Sequence, residues 1–132
     1  NTGTPASTTG EAVAAVARRI GAANPVWDHF EGVANHMQKA LEHDDLKAFQ
    51  KTMRENHRLL GEIGVVPGRV AEFVSEVEAA GSAAKICGAG AVAGDAGGMV
   101  LVAAKEAPAE LCAKYGYELM TVRPDPLGVR VV

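Results

Sequence analysis

The segment Lys85–Val102, KICGAGAVAGDAGGMVLV, places a glycine-rich connection between two short apolar segments. It holds five of the fifteen glycines of the chain. Because apolar and β-branched residues bounded by glycine are typical of strands, AAKIC and GGMVLVAA are predicted to form two strands. The glycines between them allow two interpretations: a long turn, or a loop whose backbone amides bind a phosphate.

Four helices are predicted before this segment. Apolar residues recur there at intervals of three and four, the spacing that places side chains on one face of a helix. A start signal precedes each helix, either a side chain that can cap the first turn or a proline tolerated in it. In chain order these signals are Ser7, Thr8 or Thr9; Asn24 with Pro25; Asp44 or Asp45; and Pro67.

After Val102 the pattern predicts a helix over about residues 107–115, followed by the strands YELMTV and GVRVV. A run of helices followed by strands indicates an α+β fold. We therefore expect a four-stranded antiparallel sheet with helices packed on one face, plus extra N-terminal helices. The whole chain, residues 1–132, is expected to form one domain.

Composition limits the classes of function. The chain has 132 residues, 48% of them hydrophobic, and a formal net charge of −3, which gives no general attraction for nucleic acid. No uninterrupted apolar run is long enough to span a bilayer, so no membrane association is predicted. Two cysteines are too few for a disulfide framework, and we interpret them as reduced thiols in a cytoplasmic protein.

The histidine pattern does not predict a metal site. His29, His36 and His43 are seven residues apart on the second predicted helix. That spacing is about 10 Å along the helix axis, too far for shared ligation of one ion. We interpret these side chains as a solvated or partly packed stripe.

The order of several segments resembles the C-terminal half of mevalonate kinases. These segments are NTGTPAST before a helix, then MRENHRLLGEIGV, a further helix, and AAKICGAG continuing into MVLV. The wider superfamily contains galactokinase, homoserine kinase, mevalonate kinase and phosphomevalonate kinase. The resemblance implies a ferredoxin-like sheet, and a chain that is the C-terminal half of a two-domain small-molecule kinase whose N-terminal ATP-binding half is absent.

The KICGAG element is similar to the third motif of that superfamily. The resemblance places Gly88, Ala89 and Gly90 near the nucleotide phosphates. The continuation over residues 91–98 is longer than the usual form of the motif and contains Asp95, a carboxylate that would repel a phosphate at close range. We expect Asp95 to occupy a tight turn and to point away from the phosphates.

NTGTPAST is similar to the segment that borders the acceptor pocket in mevalonate kinases, and the matching substrate candidates are Thr2 and Thr8. Capping of the first helix is the alternative role for Thr8. Ala6 stands where the family commonly has a basic residue, so one electrostatic contact with an anionic substrate is missing.

The resemblance implies an activity for the intact protein: phosphorylation of the mevalonate 5-hydroxyl by ATP with Mg²⁺, in isoprenoid precursor synthesis. No catalytic residue is assigned here, since no segment matches the phosphate loop, aspartate or lysine of the N-terminal half. We expect this chain alone to bind neither ATP nor Mg²⁺ and to be inactive. Its expected partners are the N-terminal kinase half and a small-molecule substrate. Association as a homodimer is left open. The alternatives are phosphomevalonate kinase, another kinase of the superfamily, or a stand-alone ferredoxin-like binding or regulatory domain.

Overall fold

The computed structural model describes residues 1–123 as five helices and a two-stranded sheet. The fold class is therefore α+β, with a high helical content. The elements in chain order are α1 (Thr9–Arg19), α2 (Val26–Glu42), α3 (Leu46–Glu62), α4 (Gly68–Ala79), β1 (Ala83–Ile86), β2 (Val100–Ala103) and α5 (Ala109–Tyr115).

The helices begin where local capping chemistry allows. The Asp45 carboxylate accepts the Ala48 N–H at 3.0 Å, and the Asn24 side chain accepts the Val26 N–H at 2.9 Å. These bonds satisfy amides that have no partner within the first turn of a helix. The predicted start signals of α2 and α3 are thus confirmed.

The predicted four-stranded ferredoxin-like sheet is wrong. Within residues 1–123 the sheet contains β1 and β2 only, paired antiparallel with Ala84 opposite Val102. YELMTV, residues 117–122, forms no strand: the Tyr117 N–H closes the end of α5 on the Cys112 carbonyl, and Glu118 pairs with the single residue Asn1. The backbone N–H and C=O groups of a strand need hydrogen-bond partners on a neighbouring strand. Within residues 1–123, Asn1 is the single residue that pairs with this segment. The predicted strand GVRVV lies outside the described residues.

The core has two clusters. The first packs the apolar face of α4 against β1 and α5, with Phe73, Ile86 and Cys112 among its buried members. The second joins α2 to the end of α3 and includes Val33 and Leu59. Since Leu60 packs against both clusters, α3 connects the helical part of the domain to the sheet.

Among the described residues, no helix combines the length and the hydrophobicity that crossing a membrane requires. The cytoplasmic location stays a prediction.

Candidate functional site: the glycine loop and the N-terminal segment

The connection between β1 and β2, residues 88–98, is closed at its base by a bond from the Cys87 N–H to the Met99 carbonyl at 2.8 Å. We call it the glycine loop. At its start Gly88 has φ +74° and Gly90 has φ +65°. These are left-handed conformations that residues with a Cβ adopt only with strain.

Gly90 lies in close contact with the turn between α3 and α4. The Ala91 N–H donates to the Val65 carbonyl at 2.9 Å. A Cβ added to Gly90 would lie 2.0 Å from that same oxygen, whereas a Cβ on Gly88 would have no atom within 4 Å. Glycine is therefore required at position 90 by a backbone contact as well as by φ.

The successive amides of Gly88 and Ala89 form no hydrogen bond within residues 1–123, whereas Gly90 closes the turn that contains them and is itself buried. Beside them, Gly88 and Ala89 line an open cavity of about 400 Å³. Its other walls are apolar and include Val16 of α1, Trp27 of α2 and Leu60 of α3. Consecutive backbone amides of this kind can donate to the oxygens of an anion. The geometry thus offers an anion-binding group at the rim of an apolar cavity.

The N-terminal segment packs directly against the glycine loop. The Thr2 hydroxyl donates to the Gly98 carbonyl and accepts the Gly97 N–H, both at 2.9 Å. The Ser7 hydroxyl accepts the Val92 N–H at 3.0 Å. The structure therefore brings together the two segments that the sequence proposes as site regions, through residues about 90 positions apart.

Thr8 caps α1 in a reciprocal arrangement. Its hydroxyl accepts the Glu11 N–H at 3.2 Å, while the Glu11 carboxylate accepts the Thr8 N–H at 2.7 Å. The hydrogen bond from the Thr8 N–H is the larger cause of a lowered pKa of Glu11, and the hydrogen bond from the Thr8 hydroxyl lowers this pKa further. The capping role of Thr8 is confirmed. The substrate roles of Thr2 and Thr8 stay predictions, with both hydroxyls already hydrogen-bonded within the protein.

Replacing Thr8 with alanine is expected to lower the free energy of unfolding by about 1 kcal/mol, the usual cost of losing a capping hydroxyl. Urea denaturation followed by circular dichroism measures the change. Thr8→Ser keeps the hydroxyl and should stay close to the parent protein. Equal losses in the two variants would contradict the capping role.

His57 makes a half-buried contact that the sequence did not indicate. Its Nδ1 atom accepts the Ile86 N–H at 3.3 Å, on the edge of β1 that faces away from β2. Burial lowers the pKa of His57 below its ordinary value of 6.5, and the positive charge of Lys85 lowers it further. Protonation would remove the acceptor and add a cation beside Lys85.

Protein stability should therefore fall with pH below about 6.5. The unfolded chain, with its higher His57 pKa, binds this proton more readily than the folded chain, so acid favours unfolding. Above the unfolded pKa the stabilisation is complete, and it is lost as the pH decreases towards the folded pKa. The free energy of unfolding, measured by denaturation at pH values between about 7 and about 5, tests this prediction. His57→Gln should flatten the dependence, and His36→Gln, at an exposed position, should leave it intact; a flat parent profile would contradict the assignment.

Asp95 lies exposed in the outer part of the glycine loop, next to Gly94 with φ +73°. Burial raises the pKa of the Tyr117 hydroxyl, and the charge of Asp95 adds to this effect. The orientation of Asp95 away from a bound phosphate stays a prediction. His29, His36 and His43 are exposed on α2 or at its end.

The described geometry agrees with a family match. A family model described as GHMP kinases C terminal matches residues 37–116, which is 80 of the 132 residues, and the chain therefore belongs to this family. The match includes Gly88, Ala89 and Gly90, whereas Thr2 and Thr8 lie before it. Comparison with curated proteins and with solved structures gave no significant match.

Proposed function

We propose that the chain is the C-terminal domain of a mevalonate kinase, which transfers the terminal phosphoryl group of ATP to the 5-hydroxyl of mevalonate. The observation that carries the proposal is the pair of acceptor-free amides at Gly88 and Ala89, within the family match and at the rim of a cavity. The resemblance of NTGTPAST and ENHRLLGEIGV to the mevalonate branch supports the choice of acceptor.

In this proposal the chain orients phosphate oxygens rather than carrying out chemistry on them. The amides at Gly88 and Ala89 donate to nucleotide phosphate oxygens, while Gly90 keeps the loop against Val65, which positions the transferred group without any reorganisation of the loop. The N-terminal kinase half is the partner that supplies the main phosphate loop and the catalytic side chains. No three acidic, histidine or cysteine side chains converge within residues 1–123, and the proposal assigns no Mg²⁺ ligand to this chain.

A matched pair of glycine variants in the intact kinase tests the loop. Gly88→Ala and Gly116→Ala introduce the same methyl group at similar φ, +74° and +69°, and both Cβ atoms would have open space. Gly116 ends α5 and lies outside residues 88–98 of the glycine loop. We expect kcat/KM for ATP to fall about tenfold or more in Gly88→Ala and to change less than about twofold in Gly116→Ala. Equal effects would contradict a role of the loop in nucleotide binding.

An acceptor panel tests the choice of substrate. The intact kinase is assayed with ATP, Mg²⁺ and mevalonate, phosphomevalonate, homoserine or galactose. We expect the highest kcat/KM with mevalonate. A preference for phosphomevalonate would favour the phosphomevalonate kinase alternative, and activity with galactose alone would reject the mevalonate branch.

The 132-residue chain by itself is expected to show no turnover of ATP, with or without mevalonate, because the catalytic groups are assigned to the other half. A coupled assay for ADP measures this. Turnover that persists after repeated purification, and that falls in Gly88→Ala, would contradict this division of roles.

A further inference from the structure

The Ser7 hydroxyl belongs to the glycine loop rather than to the helix that follows it. Ser7 directly precedes Thr8, but the cap of α1 is made by the Thr8 hydroxyl and the Glu11 carboxylate. The Ser7 hydroxyl instead accepts the Val92 N–H at 3.0 Å, and within residues 1–123 this is the one hydrogen bond of that side chain. The start of α1 therefore does not require a hydroxyl at position 7, whereas the loop uses it.

Two successive amides of the glycine loop are fastened to different parts of the domain. The Ala91 N–H donates to the Val65 carbonyl, in the turn before α4, at 2.9 Å. The next amide, that of Val92, donates to Ser7 in the N-terminal segment. Because a peptide group is planar, each bond fixes the orientation of one peptide plane. The two bonds together fix the direction of the chain just after the two free amides at the start of the loop.

The Ser7 bond is also the one hydrogen bond that holds the middle of the loop. Towards the end of the loop, the next bonds are those made by Thr2. Between these points, the backbone of residues 93–96 makes no hydrogen bond within residues 1–123. Without the Ser7 hydroxyl, the stretch from Val92 onwards would be held by packing alone until the Thr2 bonds.

The N-terminal segment packs closely on this part of the loop. A Cβ added to Gly94 would lie 2.8 Å from the Ala6 Cβ, and a Cβ added to Gly3 would lie 3.5 Å from the Ala96 Cβ. Small residues on both sides therefore bring the two backbones together. Of the loop residues in this contact, the one bonded to Ser7 is the nearest in sequence to the two free amides.

We infer that Ser7 is a positioning residue for the phosphoryl transfer, an inference that rests on the proposed function. Its hydroxyl touches no substrate and acts through the loop: it holds Val92, and thereby keeps the Gly88 and Ala89 amides directed at the phosphate oxygens before the nucleotide binds. Donors that are already oriented bind an anion without the cost of ordering the loop. Loss of the Ser7 hydroxyl should therefore weaken the use of ATP without removing any atom that contacts it.

The mobility of the loop amides tests the inference without any catalysis. Nitrogen-15 relaxation of the 132-residue chain gives the order parameters of Gly88 and Ala89, and hydrogen exchange reports on the Val92 N–H. In Ser7→Ala we expect faster exchange at Val92, and order parameters that fall from about 0.85, typical of rigid backbone, to below about 0.6 at the two free amides. Ser7→Thr keeps the hydroxyl and should match the parent chain. Unchanged order parameters in Ser7→Ala would overturn the inference.

Asp45→Ala is the matched control for the loss of a side-chain acceptor. Asp45 accepts the Ala48 N–H at 3.0 Å, the length of the Ser7 bond, but at the end of α3 opposite the Val65 turn. In the intact kinase we expect kcat/KM for ATP to fall about fivefold in Ser7→Ala and to change less than about twofold in Asp45→Ala and Ser7→Thr. The KM for the acceptor should change less than about twofold in all three. Equal losses in Ser7→Ala and Asp45→Ala would overturn the inference, since they would reflect stability alone.

A double variant separates this inference from the proposed function. Because Ser7 acts through the loop amides, Ser7→Ala should lower kcat/KM for ATP about fivefold in the parent kinase and less than about twofold in the Gly88→Ala background. Equal effects in the two backgrounds would overturn the role of Ser7, while a loss in Gly88→Ala alone would leave the proposed function standing. No effect of Gly88→Ala alone would contradict the proposed function, and with it the role of Ser7, even where the order parameters change.

Discussion

The Gly90→Ala variant is expected to lose about 3 kcal/mol or more of unfolding free energy, a large effect for a single methyl group. Two costs add. Alanine at φ +65° is strained by about 1 to 2 kcal/mol, and its Cβ would lie 2.0 Å from the Val65 carbonyl oxygen, so the loop or the turn before α4 must move. That movement would break the bond from the Ala91 N–H to the same oxygen. Urea denaturation measures the loss.

Gly88→Ala is the control for backbone strain alone, since its φ is +74° and the added Cβ would meet no atom within 4 Å. We expect a loss of only about 1 to 2 kcal/mol there. Similar losses in Gly88→Ala and Gly90→Ala would show that the Val65 contact contributes nothing. The comparison also separates folding from binding, because Gly88→Ala keeps a folded loop while crowding the proposed phosphate contact.

The Phe73→Ala variant is expected to lose about 3 to 5 kcal/mol of unfolding free energy. Phe73 is 2% exposed and makes edge-to-face contacts with Tyr115 and Tyr117, with ring centroids 5.4 and 5.1 Å apart. Removing the ring creates a cavity where α4, α5 and the segment after α5 meet. Chemical denaturation measures the stability, and near-ultraviolet circular dichroism reports the loss of fixed tyrosine environments.

Leu41→Ala is the matched control, because Leu41 is a large apolar side chain that is 63% exposed on α2. We expect its free energy of unfolding to change by less than about 0.5 kcal/mol. A loss below about 1 kcal/mol in Phe73→Ala would contradict the assignment of Phe73 to a closely packed core.

The helices could be predicted because their signals are local. Thr8 and Asp45 bond to amides only three residues ahead, so the relevant chemistry is visible in a short window of sequence. The apolar positions Val70, Phe73, Val74 and Val77 follow the helical period and are all buried. In such helices the positions that the sequence pattern assigns to the apolar face are the positions that the structure buries.

The sheet was only half predictable because pairing is not local. The strands AAKIC and GGMVLVAA are adjacent hairpin partners, and both were predicted correctly. YELMTV has the composition of a strand, but within residues 1–123 it pairs only with Asn1, more than a hundred positions away. Composition reports the tendency to form a strand, whereas the presence of a neighbour depends on the rest of the fold.

The candidate site was predictable in its parts and not in its contacts. The glycine loop and NTGTPAST could be selected as segments, but the bonds of Thr2 to Gly97 and Gly98 have no sequence signature. The same holds for the contact of Gly90 with Val65 and for the bond from Ile86 to His57. Each joins residues whose proximity only the complete fold creates.

The attachment of the N-terminal segment to the glycine loop has a consequence for the order of folding. The bonds that fasten it join residues 85, 96 and 117 positions apart, from Ser7 to Val92, Thr2 to Gly98 and Asn1 to Glu118. Each helix forms from contacts between near neighbours, whereas these bonds form only after a long loop has closed, so we expect them to form late. During synthesis the N-terminal segment must wait until residue 118 has left the ribosome. The glycine loop is therefore expected to take its final shape among the last parts of the domain, and to be the first to open when the chain begins to unfold.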